Sequence, residues 1–293
     1  MTSASLNEIA GAQLYFKCEN LQRSGSFKMR GASNAVFSLT DEEAARGVLT
    51  HSSGNHAAAL ALAAKRRGIP SFIVMPSDAA EVKRRAVAAF GGEITLCQPT
   101  LASREETAAE VMRRTGAVLI HPYDDDRIIA GQATAAVELI EDVPDLDFLL
   151  APISGGGLLS GTGIAAKTLL APARVIGCEP GNADDAARSL ASGQIEPPAP
   201  AKTIADGLRA SLSPRTLAIL RRVCDRIVLV SEEEIVEAMR LLWNRLKIVV
   251  EPSGAVAAAP ALCRQIQAEG KKVGIILSGG NVDLDALPFT RRE

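Results

Sequence analysis

Nine short apolar runs punctuate the chain: LYFKC (14–18), GVLTHS (47–52), SFIVMP (71–76), EITLCQ (93–98), AVLIHP (117–122), DFLLAPI (147–153), RVIGCEP (174–180), RIVLVS (226–231) and VGIILSG (273–279). Each is bounded by turn residues and predicts a strand. Between most of them lie Ala-rich stretches with apolar positions three or four apart, such as NHAAALALAAKRRG and EEEIVEAMRLLWNRL, which predict helices. Strands alternating with helices predict crossover units and parallel sheets covered by helices on both faces. The unbroken apolar character of DFLLAPI suits a strand buried on both sides. We therefore expect an α/β protein with two open, twisted, mainly parallel sheets flanked by helices. The acidic turn PYDDDR (122–127) is the expected crossing point between them, and the Pro-rich IEPPAPAK (195–202) reads as a loop.

Composition narrows the function classes. The chain has 293 residues, 47% of them hydrophobic, enough for a sizeable core. Its net charge of −2 and 3% aromatic content argue against nucleic-acid binding. No apolar run is long enough to span a membrane, and the N-terminus lacks a basic region followed by an apolar stretch. The five cysteines form no CxxC pair, so neither a disulfide framework nor a zinc site is indicated. The expectation is a reduced, cytoplasmic protein.

Several strand ends carry candidate chemistry. SGSFKMRGA places Lys28 where it is either a solvated charge at a helix start or an enclosed nucleophile. PISGGGLLSGTG (152–163) follows a strand and opens a helix, an arrangement that lets backbone N–H groups approach a phosphate. Gly155, Gly157 and Ser160 also imitate a dinucleotide fingerprint, with Glu179 as the acid that would meet a ribose. That alternative, a nicotinamide-dependent oxidoreductase, suffers from position, because several strand–helix units precede the loop. THSSGNHAAA (50–59) crowds Ser52, Ser53, Asn55 and His56 into one turn, more polar groups than one helix cap needs. LSGGNVD (277–283) puts Ser278 at a strand's carboxyl end, and EPGNADD (179–185) offers Glu179, Asp185 and the carbonyl of Ala183 to a hard cation.

Taken in order, SFKMRGA, SSGNH, SGGGLLSG, EPGNADD and LSGGN resemble the fold-type II pyridoxal phosphate (PLP) enzymes, in the branch of serine/threonine dehydratases and serine racemases. The resemblance covers nearly the whole chain. It implies that Lys28, after Phe27, forms the Schiff base with the cofactor. It assigns Gly155, Gly156, Gly157 and Leu158 to the cofactor phosphate, Asn55 to the ring hydroxyl and Ser278 to the pyridine nitrogen. Ser52, Ser53, Asn55 and His56 would meet the substrate, with Ser53 as the second acid–base residue opposite Lys28. Glu179, Ala183 and Asp185 would hold a divalent cation: magnesium, with calcium or manganese as alternatives. It further implies a homodimer, a large lobe of residues 1–37 and 125–293, and a small lobe of residues 38–124 that closes over the substrate.

The expected reaction is β-elimination of L-serine or L-threonine to a 2-oxo acid and ammonia. Serine racemisation and dehydration of 3-hydroxyaspartate are the alternatives within the family; a catalytically silent amino-acid-binding protein is one outside it. The chain departs from the family in three places. It begins at TSASLNE, inside what is usually an internal segment; it ends soon after LSGGNVDLDALP, so feedback control through a C-terminal regulatory domain is not expected; and AGQAT carries Ala133 where relatives often have Gly.

Overall fold

All nine apolar runs contribute strands in the computed structural model, which describes residues 1–52, 54–79, 81–198 and 202–289. The strands are β1 (Gln13–Cys18), β2 (Val48–His51), β3 (Ser71–Pro76), β4 (Glu93–Cys97), β5 (Val118–Leu119), β6 (Phe148–Pro152), β7 (Arg174–Pro180), β8 (Arg226–Val230) and β9 (Lys272–Leu277). The helices are α1 (Ala4–Ala10), α2 (Lys28–Phe37), α3 (Asp41–Arg46), α4 (Asn55–Arg67), α5 (Glu81–Ala89), α6 (Leu101–Thr115), α7 (Asp126–Asp142), α8 (Gly157–Leu169), α9 (Asp185–Ser192), α10 (Pro214–Val223), α11 (Glu232–Leu246), α12 (Pro252–Ala255) and α13 (Ala259–Leu262). They divide into two compact units, one of residues 1–27 and 132–293, the other of residues 28–131.

The first unit holds a five-stranded sheet in the order β1-β9-β6-β7-β8, every pair parallel. Successive residues of a strand point to opposite faces, and both faces here are covered. Phe148 and Leu150 of β6 join Leu14, Phe16, Val273 and Ile275 in a core shared with α11. Leu149 and Ala151 join Ile276 and Val175 in a second core, shared with α7, α8 and α10. This two-sided burial is why DFLLAPI shows no polar alternation. A fully buried Leu or Phe here contributes about 1.5–3 kcal/mol of transfer free energy.

The second unit holds a four-stranded parallel sheet in the order β4-β3-β2-β5. One face packs on α2 and α4, the other on α6. Helix α4 buries Ala57, Ala59, Ala61, Ala63 and Ala64, and their small side chains let α2 approach through Ala32 and Ala35. Arg67, in the last turn of α4, ties the pair by donating to the carbonyls of Val36 and Leu39, the latter at 2.7 Å. Gly68 then ends α4 in the left-handed region at φ 75°, its N–H returned to Ala64 and Lys65, a termination that glycine adopts without Cβ strain.

In each sheet the chain order reverses once. The reversal falls between β6 and β9 in the first unit and between β2 and β5 in the second. In open parallel sheets, ligands sit outside the carboxyl ends of the strands at such a point. The glycine loop follows β6 and Ser278 follows β9; SSGNH follows β2 and His121–Pro122 follows β5.

Candidate active site

In the second unit, Lys28 is the first residue of α2. Its ammonium donates to the carbonyl oxygen of Pro122 at 2.8 Å. The residue as a whole keeps some exposure, yet its ammonium is enclosed, and this desolvation pushes the pKa down from 10.5 to about 8. A neutral amine is thereby accessible near physiological pH.

Two of the chain's three histidines, His56 and His121, sense the Lys28 charge, and the third, His51, packs against His121. His56 is buried and its Nε2 lies 3.2 Å from the carbonyl oxygen of Ile120. A carbonyl only accepts, so Nε2 carries the proton and Nδ1 is left as a buried lone pair with no partner among the described residues. Burial first, then the Lys28 charge, pushes His56 down to about 3. His121 is pushed down to about 4, by burial and then by His51. Its ring makes edge contacts with His51 at 5.8 Å and Tyr123 at 4.6 Å between centroids.

The N-cap of α4 is Gly54, and no described side chain caps it. Ser52 instead receives the Gly54 N–H at 3.4 Å, while Asn55 opens the helix partly exposed. Ser53, expected as the second acid–base residue, lies outside the described residues.

In the first unit, Gly155, Gly156, Gly157 and Leu158 are buried at the start of α8. Gly156 is its N-cap, at φ 89°. A Cβ there would also sit 2.8 Å from the Thr216 side chain and 2.9 Å from that of Leu212, so only glycine fits. The first N–H groups of a helix lack intrahelical partners and point outward, which suits an anion. Ser154 fixes the loop's approach, receiving the Ala210 N–H at 3.0 Å and donating back to its carbonyl at 3.1 Å. Ser278 is buried, and its hydroxyl donates to the carbonyl of Ser253 across 3.4 Å, a long and weak contact that leaves it able to reorient. Within the same unit, the Phe27 N–H donates to the Ser278 carbonyl at 3.0 Å.

Glu179 and Asp185 are both buried in the turn from β7 to α9, with Ala183 between them. Glu179 receives the N–H groups of Ala186 and Ala187 at 2.9 and 2.8 Å, so its carboxyl caps α9 from a distance. Burial nevertheless pushes its pKa up to about 8, and Asp185 is raised for the same reason. Oδ2 of Asp185 has no hydrogen-bond partner among the described residues. Among the described residues no group of three or more His, Cys, Asp or Glu side chains could hold a metal ion, so a cation here would depend on backbone carbonyls as well.

The model of the "Pyridoxal-phosphate dependent enzyme" family matches residues 1–279. The chain belongs to this family. Within the pyridoxal-phosphate dependent enzymes it is 52% identical over 288 residues to a beta-hydroxyaspartate dehydratase of Paracoccus denitrificans (strain Pd 1222), covering 98% of this chain and 91% of the relative. It is 51% identical over 292 residues to a serine racemase of Arabidopsis thaliana, covering 98% and 88%. The solved structure of maize serine racemase superposes with a TM-score of 0.94 at 48% identity, covering 97% of this chain and 88% of that one. These relatives place it in the serine racemase and dehydratase branch, and the expected two-sheet fold is the one observed. The residues present fit the family's cofactor: an enclosed lysine of lowered pKa, a glycine loop on a helix N-terminus that admits no Cβ, and a buried, loosely held serine hydroxyl. The nicotinamide alternative gains nothing from the structure, since Glu179 faces α9 and is buried rather than open to a ribose.

The sequence reading passed over three features of these sites. Pro122 matters through its backbone carbonyl, which no side-chain motif announces. His121 was legible only as one of three histidines. Gly131 closes on Gly31, with a Cβ at Gly131 falling 2.6 Å from the Gly31 Cα, a contact across one hundred residues of sequence.

Proposed function

We propose that this chain catalyses PLP-dependent β-elimination of small 3-hydroxy amino acids, L-serine or L-threonine, to a 2-oxo acid and ammonia. The observation that carries the reading is Lys28: an enclosed amine with a pKa near 8, at the switch point of its sheet. When bound, pyridoxal phosphate supplies an aldehyde for amines and an electron sink at Cα. Lys28 would hold it covalently, the N–H groups of Gly155 to Leu158 its phosphate, Asn55 its ring hydroxyl and Ser278 its pyridine nitrogen. A serine does not force that nitrogen to stay protonated, which suits a short-lived Cα charge that expels a β-hydroxyl. Lys28 would also act as the general base that takes the substrate's α-proton. Ser52 and His56 border the substrate, and Ser53 is assigned the opposite face, where it either assists the leaving hydroxyl or returns a proton. Glu179, Asp185 and the Ala183 carbonyl would hold magnesium, calcium or manganese, a donor set of hard oxygens. The active species is proposed to be a cytoplasmic homodimer.

Serine racemisation is a second reading, favoured by the serine racemases among the relatives; dehydration of 3-hydroxyaspartate is favoured by the Paracoccus relative. One experiment separates them. Purified protein with PLP and magnesium is given L-serine, L-threonine or 3-hydroxyaspartate, and 2-oxo acid and D-amino acid are quantified in the same sample. Excess pyruvate or 2-oxobutyrate supports the proposal. Comparable or dominant D-serine replaces it with racemisation, and turnover of 3-hydroxyaspartate alone shifts the substrate.

A further inference from the structure

The turn after β5 is built around a side chain. Pro122 has no N–H, and it biases His121 toward extended backbone. The next two N–H groups, of Tyr123 and Asp124, both donate to Nδ1 of His121, at 3.4 and 2.9 Å. A side-chain acceptor gathering the N–H groups two and three residues on is the geometry by which Asn and Asp fold Asx turns. Here an imidazole does it. The edge contacts with His51 and Tyr123 fix the ring's orientation. Held this way, the turn presents the Pro122 carbonyl to Lys28 at 2.8 Å.

We infer that His121 is a positioning residue for Lys28: its unprotonated Nδ1 folds the 121–124 turn and so aims the Pro122 carbonyl at the lysine ammonium. The inference rests on the reading of Lys28 as the cofactor lysine. Burial keeps Nδ1 free of a proton at neutral pH. The titratable groups that face His121 are His51 from β2, Lys28 from α2, and Asp124 and Asp125 from its own turn; His56 of α4 senses the ring in return. His51 and Lys28 disfavour protonation and the two aspartates favour it, with burial the largest influence. A carbonyl that accepts from an ammonium stabilises the charged form, so losing it lowers the lysine pKa.

The test uses the full chain stripped of cofactor. Lys28 is labelled competitively with acetic anhydride across pH 6–11 and followed in its peptide by mass spectrometry. H121F keeps a ring against His51 and Tyr123 but has no acceptor; H121N keeps an acceptor where Nδ1 stood. We expect the H121F midpoint to fall by about half a pH unit, giving roughly threefold faster labelling at pH 7, with H121N within about 0.2 of wild type. An H121F midpoint equal to or above the wild type's overturns the inference. So does an H121N midpoint displaced as far as that of H121F. If H121F does not fold by circular dichroism, H121A takes its place in the same comparison. Borohydride reduction of the PLP-loaded protein, followed by peptide mapping, tests the underlying reading separately. PLP fixed on another lysine defeats the function proposed for Lys28 and leaves the labelling result standing. PLP on Lys28 with coincident labelling curves defeats only the role of His121.

Discussion

Replacing Lys28 with Met should stabilise the cofactor-free protein while abolishing its function. Methionine keeps the unbranched stem and removes the charge. The folded pKa of Lys28, about 8, lies below the unfolded value of 10.5. Between these values the unfolded chain holds more protons, so stability rises with pH through that window. Below pH 8 both states carry the charge, and the full cost of enclosing it is present. At 1.36 kcal/mol per pH unit this cost is roughly 3 kcal/mol. Lys28 retains some exposure, and solvent screening reduces the figure to about 2 kcal/mol. K28M should therefore be about 2 kcal/mol more stable than wild type at pH 7, and the gap should shrink toward zero by pH 10.5. Urea denaturation of both cofactor-free proteins at pH 7 and pH 10 measures it, because groups that do not feel Lys28 cancel in the difference and His56 and His121, which do, are largely neutral over that range. A gap of the same size at both pH values would refute the reasoning. So would a K28M protein less stable than wild type at pH 7, which would mean that the bond to Pro122 outweighs the desolvation.

Four further outcomes follow from the geometry. G131A drives a Cβ to 2.6 Å from the Gly31 Cα and 2.8 Å from the Arg30 carbonyl oxygen, so it should cost about 1–3 kcal/mol in urea denaturation; a neutral effect would show that α2 and α7 can part without loss. G156A should weaken PLP binding at least about tenfold in a titration of the visible band, since the N-cap of α8 cannot keep φ 89° with a Cβ against Thr216; unchanged affinity would remove the glycine loop from the cofactor site. Millimolar magnesium, calcium or manganese should raise the melting temperature, with the rise reversed by EDTA and absent in D185N; an equal rise in D185N would place the cation elsewhere. S213A removes the hydroxyl that accepts the Thr216 N–H in the capping box opening α10 and should cost about 1 kcal/mol by thermal denaturation.

The strands were legible because each is a short apolar run between turn residues, and the sheets were legible because helices alternate with them. Most expected strands overran the observed ones by a residue or two, and one ran much further. AVLIHP promised a strand to residue 122, but β5 pairs only at Val118 and Leu119. The proline cannot donate to a ladder, and the N–H groups that follow it turn back onto the ring of His121. The ordered motifs marked the loops at both switch points, since strand ends that hold ligands need glycine and small polar residues there. They could not show what those loops lean on. Lys28 meets the backbone of a residue 94 positions away, and a carbonyl carries no sequence signature. Glu179 stood out as an acid beside other acids, but its bonds to the first turn of α9 depend on how β7 delivers it.

The three histidines show why such details matter to the chemistry. Each could carry a proton near neutral pH in water; His56 and His121 both sense the Lys28 charge, and His51 lies against His121. A charged imidazole beside Lys28 would favour its neutral amine, but at the cost of gathering several positive charges in an enclosed site. The fold avoids this by desolvating the rings, and it uses His56 and His121 as neutral groups. His56 spends its proton on the Ile120 carbonyl, and His121 spends its lone pair on two backbone N–H groups. The pKa of Lys28 is then set by desolvation rather than by like-charge repulsion. That distinction is testable in the molecule: a lysine lowered by desolvation should keep its pKa in high salt, whereas one lowered by neighbouring charge should rise as those charges are screened. Labelling of Lys28 at 0.05 and 1 M salt should therefore give the same midpoint, and an upward shift at high salt would mean that at least one of the histidines is charged.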